Sequence, residues 1–318
     1  MADPELVPEA ILEKDGLKVS KSPWGPDDEI GRLNWVTPES TKEILDHLNG
    51  TKVFDLNVDY FIGMPSWLAA GDPKYEIWMT HTPQGSINDN LSGVGSGPHE
   101  HYSYCGDSVH MYTHCGTHID TMNHLGHHNT FWNGWTPEKD LGSRLWNKGG
   151  PDKYPPVIAR GVLLDIAGMY GVDCLDDGYG ITPDDIKRCV KEQGVELRKK
   201  DIVLIRTGRM TKWPDPDGYL LKPPGINLPS AKYLCEEAGA MCIGGDSIGL
   251  EVMPWNEPDA FLPVHAYMFA TAGAQIMEIV NMEEIAAEKQ YTFAFLGFPL
   301  KLRGATGAPM PAYAIPLK

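Results

Sequence analysis

The sequence has 318 residues, of which 42% are hydrophobic and 22% are charged, so it can bury a large core and is neither disordered nor fibrous. Asp and Glu number 43 against 27 Lys and Arg, and the net charge of −16 opposes binding to nucleic acid or to anionic lipid. The six cysteines form no CxxC pair, and no apolar run approaches the ~20 residues that span a bilayer. The acidic N-terminus lacks the pattern of a signal peptide. We therefore expect a cytoplasmic protein with reduced thiols and no membrane partner.

The first 50 residues are predicted to form an N-terminal arm followed by a helix. The helix is expected from Thr37 to Gly50, with Thr37 as N-cap, Pro38 at the first helical position and Gly50 as the C-terminal stop. From Val53 to about Tyr112, short apolar runs alternate with Gly, Pro, Asn and Asp. This pattern is typical of strands joined by long loops, without a long helix.

After residue 150 the pattern predicts a β-α-β rhythm. Apolar runs at 157–166 and 201–207 indicate strands, and between them Thr182 opens a helix that Gly194 closes. Further elements are expected as a helix at 229–238, strands at 240–243 and 274–280, a helix at 282–288 and a strand at 291–298. The predicted fold class is therefore α/β, with one mixed-sheet domain at 51–318 behind an arm and helix at 1–50.

Histidines are concentrated in one stretch, since nine of the 11 lie between residues 81 and 128. The string HCGTHIDTMNH brings His114, His118 and Asp120 within seven residues. Two imidazoles and a carboxylate suit zinc, manganese or iron(II) and leave coordination positions open, which indicates catalysis. His118 and Asp120, at i and i+2, share one face of an extended segment, and Gly116 allows a bend that brings His114 to them. His124 lies near enough to act as a general acid or base.

Two further features have alternative interpretations. Cys115 is either a fourth, soft metal ligand or a small buried thiol, and we favour the thiol. Aromatic side chains either line a pocket for a planar ring or fill the core, and the candidates for such a pocket are Trp67, Trp78, Trp132, Trp135, Trp213 and Trp255.

The string at 114–124 resembles the HxGTHxDxPxH signature of the metal-dependent cyclase family, which includes bacterial kynurenine formamidase, isatin hydrolase and trans-dienelactone hydrolase. Met122 stands where the signature has proline. The resemblance extends over residues 24 to 316. Five further segments resemble segments of the family's longer members, and they read WGPDDEIGRLNWVTPE, FWNG, RGVLLDIAG, DIVLIRTG and GGDSIGLEVMP. It implies a swivelling β/β/α-type domain. It also implies a divalent-metal hydrolase that opens an amide, imide or lactone bond, of the cyclic amidase, lactonase or arylformamidase type.

The resemblance also implies roles for individual residues. His114, His118 and Asp120 would be metal ligands, and His124 would be the catalytic acid/base. The implied ion is Zn²⁺ or Mn²⁺, and we expect one tightly bound ion, with a weaker second one that Asp120 would bridge.

The second ion would be held by the residues that match a distal His and Glu of the family. His265 is the only histidine after residue 128 and matches the first, and Glu278 is the best match for the second, with Gln275 as the alternative. Asp246 in GGDSIG follows a predicted strand, so it is either a capping carboxylate or a support for the ligands.

The same residues also fit two other functions. His118, Asp120 and His265 also match the facial triad of an iron(II)/2-oxoglutarate oxygenase, although the β-α-β rhythm opposes a jelly roll. A non-catalytic metal-binding protein is the second alternative, but it leaves His124 without a role. The expected partners are a small-molecule substrate and further copies of the same chain, in a dimer or tetramer. The homo-oligomer is expected because Trp24 and Trp35 in the arm need a surface to pack on. Packing on the same subunit is the alternative.

Overall fold

The computed structural model describes residues 3, 5–50, 52–255 and 260–318. We number its strands in chain order as β1 (Ala10–Lys14), β2 (Leu17–Ser20), β3 (Phe54–Asp55), β4 (Glu76–His81), β5 (Gly106–His110), β6 (His118–Asp120), β7 (Val157–Asp165), β8 (Gly180–Ile181), β9 (Ile202–Arg206), β10 (Gly225–Ile226), β11 (Cys242–Gly245), β12 (Gln275–Glu278), β13 (Thr292–Gly297), β14 (Gly307–Pro309) and β15 (Ala312–Pro316).

The helices are short. They are α1 (Pro38–Asp46), α2 (Pro83–Asn88), α3 (Pro137–Asp140), α4 (Ile166–Tyr170), α5 (Pro183–Gln193), α6 (Pro216–Leu220), α7 (Leu228–Lys232), α8 (Pro263–Ala266) and α9 (Glu283–Ala287). Helix α7 continues as a π-helical turn at Tyr233–Glu237, and α8 continues in the same way at Tyr267–Ala272. Among the described helices, none is long and apolar enough to cross a membrane.

One mixed sheet organises the chain, with the strand order β14-β6-β12-β11-β9-β7-β13-β15-β3. Its centre, from β7 through β9 and β11 to β12, is parallel, and the strands on either side are antiparallel. Every residue of β9 is buried, as expected for a parallel strand that is covered on both faces. The predicted α/β class with a mixed sheet is confirmed.

Local signals in the sequence agree with most of the element boundaries. Thr182 caps α5 in a reciprocal capping box with Asp185, and Gly194 ends the helix in the left-handed conformation. Helix α1 begins as predicted but ends at Asp46 rather than near Gly50. The cause is the C-terminus of the chain, because the backbone at 47–49 leaves the helix to bond with residues 316–318.

The N-terminal arm is anchored by a buried guanidinium. Arg32 is fully buried and donates from Nε to the carbonyl of Ala272 (3.1 Å) and from Nη1 to those of Ala240 (2.6 Å) and Cys235 (3.0 Å). Nη2 donates to the carbonyl of Leu6 (3.0 Å). The carbonyl of Ala272 ends one π-helical turn, and those of Cys235 and Ala240 lie within and just beyond the other, in the region where the helix dipole favours a cation.

The aromatic anchors of the arm pack within the same chain. Trp35 is buried in the main core and Trp24 packs against that core. These two side chains therefore pack on their own subunit, which was the alternative expectation. They give no reason to expect a second copy of the chain.

The strands β4 and β5 form a separate two-stranded ribbon. Its apolar side chains are about half exposed, and they are Ile77, Trp78, Met79 and Val109. The segments that enter and leave this ribbon, around residues 67–72 and 112–114, contribute to the cavity described below.

Candidate metal centre

Strand register brings three of the predicted site residues to one face of the sheet. Strand β6 lies between β14 and β12, and His118 on β6 is directly opposite Glu278 on β12. Asp120 is two residues after His118 on the same strand, so its side chain points to the same face. Ile119, between them, points to the other face and belongs to the core.

His118 has the geometry of a metal ligand. Its Nδ1 lies 2.8 Å from the carbonyl oxygen of Gly116, which can only accept, so Nδ1 carries the proton. Nε2 is buried without a hydrogen-bond partner and lies 3.3 Å from both Asp120 Oδ1 and Glu278 Oε2. The two carboxylates draw positive charge towards Nε2, either as a proton on the ring or as a metal ion that takes the place of that proton.

His114 completes the first group because the chain bends before it reaches β6. Gly116 has a φ of 63°, in the left-handed region that favours glycine, and the bend brings His114 Nδ1 to 2.6 Å from Asp120 Oδ1. His114 Nε2 lies 3.0 Å from Thr306 Oγ1. Gly307 borders the same ring, since a Cβ there would lie 2.5 Å from His114 Cε1.

His265 approaches from the opposite side, on the first turn of α8. Its Nε2 lies 3.0 Å from Glu278 Oε1 and 3.8 Å from Asp120 Oδ2. Its Nδ1 lies 2.5 Å from Glu251 Oε1, which also accepts the backbone N–H of His265 at 3.1 Å. Glu251 is buried and therefore fixes both the position and the orientation of the imidazole.

The side chains form two groups that are able to hold a metal ion, and Asp120 belongs to both. One group is His114, His118 and Asp120, and the other is Asp120, His265 and Glu278. All five side chains are buried. Nitrogen and carboxylate donors in this number fit a divalent transition metal. The structure thus brings together the five residues that the sequence predicted as ligands.

Electrostatics in this centre favour a cation. Burial alone would lower the pKa of His118, but the carboxylates of Asp120 and Glu278 raise it to about 10. Burial would raise the pKa of Asp120, yet the imidazoles of His114 and His124 hold it well below its usual range. Both shifts show that the buried carboxylates attract positive charge.

His124 lies beside the ligand groups and belongs to neither. Its ring stacks on His114 at a centroid distance of 4.2 Å, and its Nε2 lies 3.8 Å from Asp120 Oδ2. Burial and the neighbouring imidazole of His114 lower its pKa to about 3, so the ring is neutral at pH 7. Its position at the edge of the centre, within reach of Asp120 and of the cavity, is suited to a general acid or base.

The centre opens into a cavity of about 330 Å³. His114, His124, His265 and Glu278 line one side of it. Two of the six tryptophans predicted as candidates for a pocket, Trp67 and Trp255, lie among its other lining residues. The other four do not line the cavity. Trp132 and Trp135 are buried in the main core, Trp213 packs against a second, smaller group of buried residues, and Trp78 is half exposed on β4.

Three other candidates lie outside the ligand groups. The thiol of Cys115 is buried and donates to the carbonyl of Tyr112, and burial raises its pKa to about 11, as expected for a core thiol. Gln275 donates to the carbonyl of Ile30 in the arm. Asp246 accepts from Thr207 and from the next two backbone N–H groups, so it is a capping carboxylate.

Sequence reasoning missed Glu251, Thr306 and Gly307. Glu251 lies in the segment GGDSIGLEVMP that carried part of the resemblance, but it is 14 residues before His265 and shares no element with it. Thr306 and Gly307 reach the centre because β14 pairs with β6, and no short spacing signals that contact.

The chain is similar to known proteins over most of its length. The family model Cyclase, described as “Putative cyclase”, matches residues 54–252. A solved structure described as a novel cyclase is 26% identical, with a TM-score of 0.79, over 92% of this chain and 95% of that chain. No curated protein matches the sequence.

Two isatin hydrolases have the same fold. Isatin hydrolase A from Labrenzia aggregata, solved with benzyl benzoate, is 19% identical with a TM-score of 0.61, over 84% of this chain and 94% of that chain. Isatin hydrolase A from Ralstonia solanacearum is 19% identical with a TM-score of 0.61, over 83% of this chain and 92% of that chain. The Cyclase family model matches more than half of the residues of this chain. The chain therefore belongs to the Cyclase family.

Proposed function

We propose that the protein is a divalent-metal-dependent hydrolase that opens an amide, imide or lactone bond in a small cyclic or aromatic molecule. The observation that carries the proposal is His118 Nε2, which faces oxygens of Asp120 and Glu278, each at 3.3 Å, without a hydrogen bond. Membership of the Cyclase family supports it, as do structural relatives named isatin hydrolase.

The chain's own residues would divide the work. A divalent ion held by His114, His118 and Asp120 would lower the pKa of water and polarise the substrate carbonyl. His124 takes a proton from the attacking water and returns it to the leaving nitrogen or oxygen, because it lines the substrate cavity beside the ligand groups. Glu251 holds His265 in place through its Nδ1.

For the identity and number of the metal ions we keep the expectations drawn from the sequence. We infer Zn²⁺ or Mn²⁺, with one tightly held ion and a weaker second position at Asp120, His265 and Glu278. Asp120 would bridge the two, since it belongs to both groups. A cytoplasmic location and a homo-oligomeric state stay predictions.

The two alternative functions have less support. An iron(II)/2-oxoglutarate oxygenase would use a jelly roll, whereas the central strands here are parallel and joined by helices. A metal-storage protein would close its ligands off, whereas His114 and His265 line an open cavity next to His124.

The proposal is tested by removing the metal and restoring it. Protein stripped with a chelator is assayed against a panel of cyclic amides, imides and lactones, before and after addition of zinc or manganese. We expect hydrolysis only after the metal is restored. Consumption of 2-oxoglutarate, or metal-independent hydrolysis, would contradict the proposal.

Variants separate the ligands from the acid/base. His118→Ala and Asp120→Ala should lose tight metal binding, because each removes a donor. His124→Ala should keep the metal and lose about 10²–10⁴-fold in rate. Elemental analysis of the purified variants decides between the roles, and loss of metal from His124→Ala would make that residue a ligand.

A further inference from the structure

The turn between Asp120 and His124 sets where the acid/base lies relative to the ligands. The N–H of His124 donates to the carbonyl of Thr121 at 2.9 Å, which closes a β-turn with Met122 at its second position. Proline is favoured at that position because its ring fixes φ near about −65°. In this chain methionine stands there, where the family signature has proline, and no ring fixes the backbone. The turn therefore depends on other contacts.

A buried tyrosine holds the backbone of Met122. The Met122 N–H donates to the hydroxyl oxygen of Tyr154 at 3.1 Å, and both residues are fully buried. Burial raises the pKa of Tyr154, so its hydroxyl stays neutral and acts as an acceptor. Tyr154 precedes β7 and is not among the described residues that line the cavity. A proline at position 122 has no N–H, so this hydrogen bond exists only because another residue stands there.

The side chain of Met122 makes a separate contact. Its Sδ accepts from Gln275 Nε2 at 3.4 Å, and the same Nε2 donates to the carbonyl of Ile30 at 2.6 Å. Gln275 is the first residue of β12, which also carries Glu278. The backbone N–H of Met122 thus holds the turn, whereas its thioether packs in the main core. A substitution is able to remove one contact without the other.

We propose that the hydrogen bond from the Met122 N–H to Tyr154 positions His124, and that it replaces the constraint that a proline ring would place on the turn. This inference rests on the proposed function, because that function assigns proton transfer to His124. Met122 and Tyr154 are positioning residues, since neither is among the described residues that line the cavity.

Loss of this hydrogen bond should move His124 more than the ligands. Strand β6, which carries His118 and Asp120, is held by β12 on one side and by β14 on the other. His124 lies beyond the turn and outside the described strands. Its ring depends on the turn for its stacking on His114 at 4.2 Å and for the 3.8 Å between its Nε2 and Asp120 Oδ2. We therefore expect a change in rate without a change in metal binding.

Tyr154→Phe keeps the ring and leaves the Met122 N–H buried without a partner. Loss of one buried hydrogen bond shifts an equilibrium by about 10-fold. On the substrate that the panel of cyclic amides, imides and lactones identifies, we expect kcat to fall about 10-fold because the competent position of His124 is less populated. KM and metal affinity should stay unchanged. Tyr170→Phe is the matched control and should change none of these constants, since the Tyr170 hydroxyl donates to Asp185 outside the cavity.

A double-mutant cycle separates the hydrogen bond from the packing of the methionine. Tyr154→Phe is compared in the wild type, in Met122→Ala, which keeps the N–H and loses side-chain volume, and in Met122→Pro, which loses both. We expect kcat to fall about 10-fold in the first two and not in the third. An equal fall in all three would overturn the inference. Where Met122→Pro does not fold, a fall for Tyr154→Phe no larger than for Tyr170→Phe overturns it.

An imidazole NMR spectrum of the zinc-loaded protein tests the position of His124 without turnover. The His124 signal is assigned by its absence from His124→Ala. We expect Tyr154→Phe to shift or broaden this signal and Tyr170→Phe to leave it unchanged. A shifted signal supports the inference even if the panel yields no substrate. An unmoved signal in Tyr154→Phe, with metal-dependent hydrolysis at the wild-type rate, would overturn the inference and leave the proposed hydrolase intact.

Discussion

Replacing Arg32 by Met tests how far the N-terminal arm is part of the folded domain. The change keeps most of the side-chain volume but removes four hydrogen bonds to carbonyls. Three of those carbonyls, at Cys235, Ala240 and Ala272, belong to buried residues, and losing a partner costs about 1 kcal/mol or more for each. Relief of the cost of burying a guanidinium offsets part of the loss. We therefore expect a loss of about 3 kcal/mol in the free energy of unfolding.

The loss is measurable by urea denaturation and by thermal unfolding. For 318 residues the unfolding entropy scales to about 0.7 kcal/mol/K, so 3 kcal/mol corresponds to a fall of about 4–5 °C in Tm. Arg188→Met is the control, because Arg188 is half exposed and makes only surface interactions among the described residues, a pair with Glu192 four residues away and a contact with the ring of Tyr170. A variant at Arg32 within about 0.5 kcal/mol of the wild type would refute the reasoning.

Two further predictions concern the metal centre and the assembly. Glu251→Gln should weaken metal binding about 10-fold, because Glu251 orients the imidazole of His265. The control is Glu237→Gln, at an exposed acid, which should leave metal binding unchanged. Chelator competition measures both affinities, and equal values for the two variants would show that Glu251 does not support the metal site. The homo-oligomer expected from the sequence stays a prediction although Trp24 and Trp35 pack on their own subunit. Sedimentation and light scattering of the full chain measure it, and a monomer at micromolar concentration would contradict it.

The sequence predicted those parts of the site that lie close together in the chain. His118 and Asp120 share a face because a strand repeats every two residues, and that spacing is readable without a structure. The partnership of His118 with Glu278 depends on the register between β6 and β12, which lie about 160 residues apart. Only the family resemblance pointed to Glu278.

Contacts between distant elements account for what was not predicted. Helix α1 ends early because the C-terminal residues pair with the backbone after it, although Thr37 and Pro38 mark its start correctly. Aromatic content alone did not distinguish Trp67 and Trp255, in the cavity, from tryptophans in the core. Burial in a core and exposure to a cavity both favour large rings, so only the folded arrangement separates them.

The register of β6 limits how this family can change over evolutionary time. Inserting one residue between His118 and Asp120 would turn the carboxylate to the face now occupied by Ile119, because adjacent residues of a strand point in opposite directions. The same insertion would shift the pairing with both β12 and β14, which hold the strand from its two sides. Loops such as the connection between β4 and β5 have no comparable constraint. New substrate preferences are therefore expected to arise by changing the length of the loops around the cavity, while the length of β6 stays fixed.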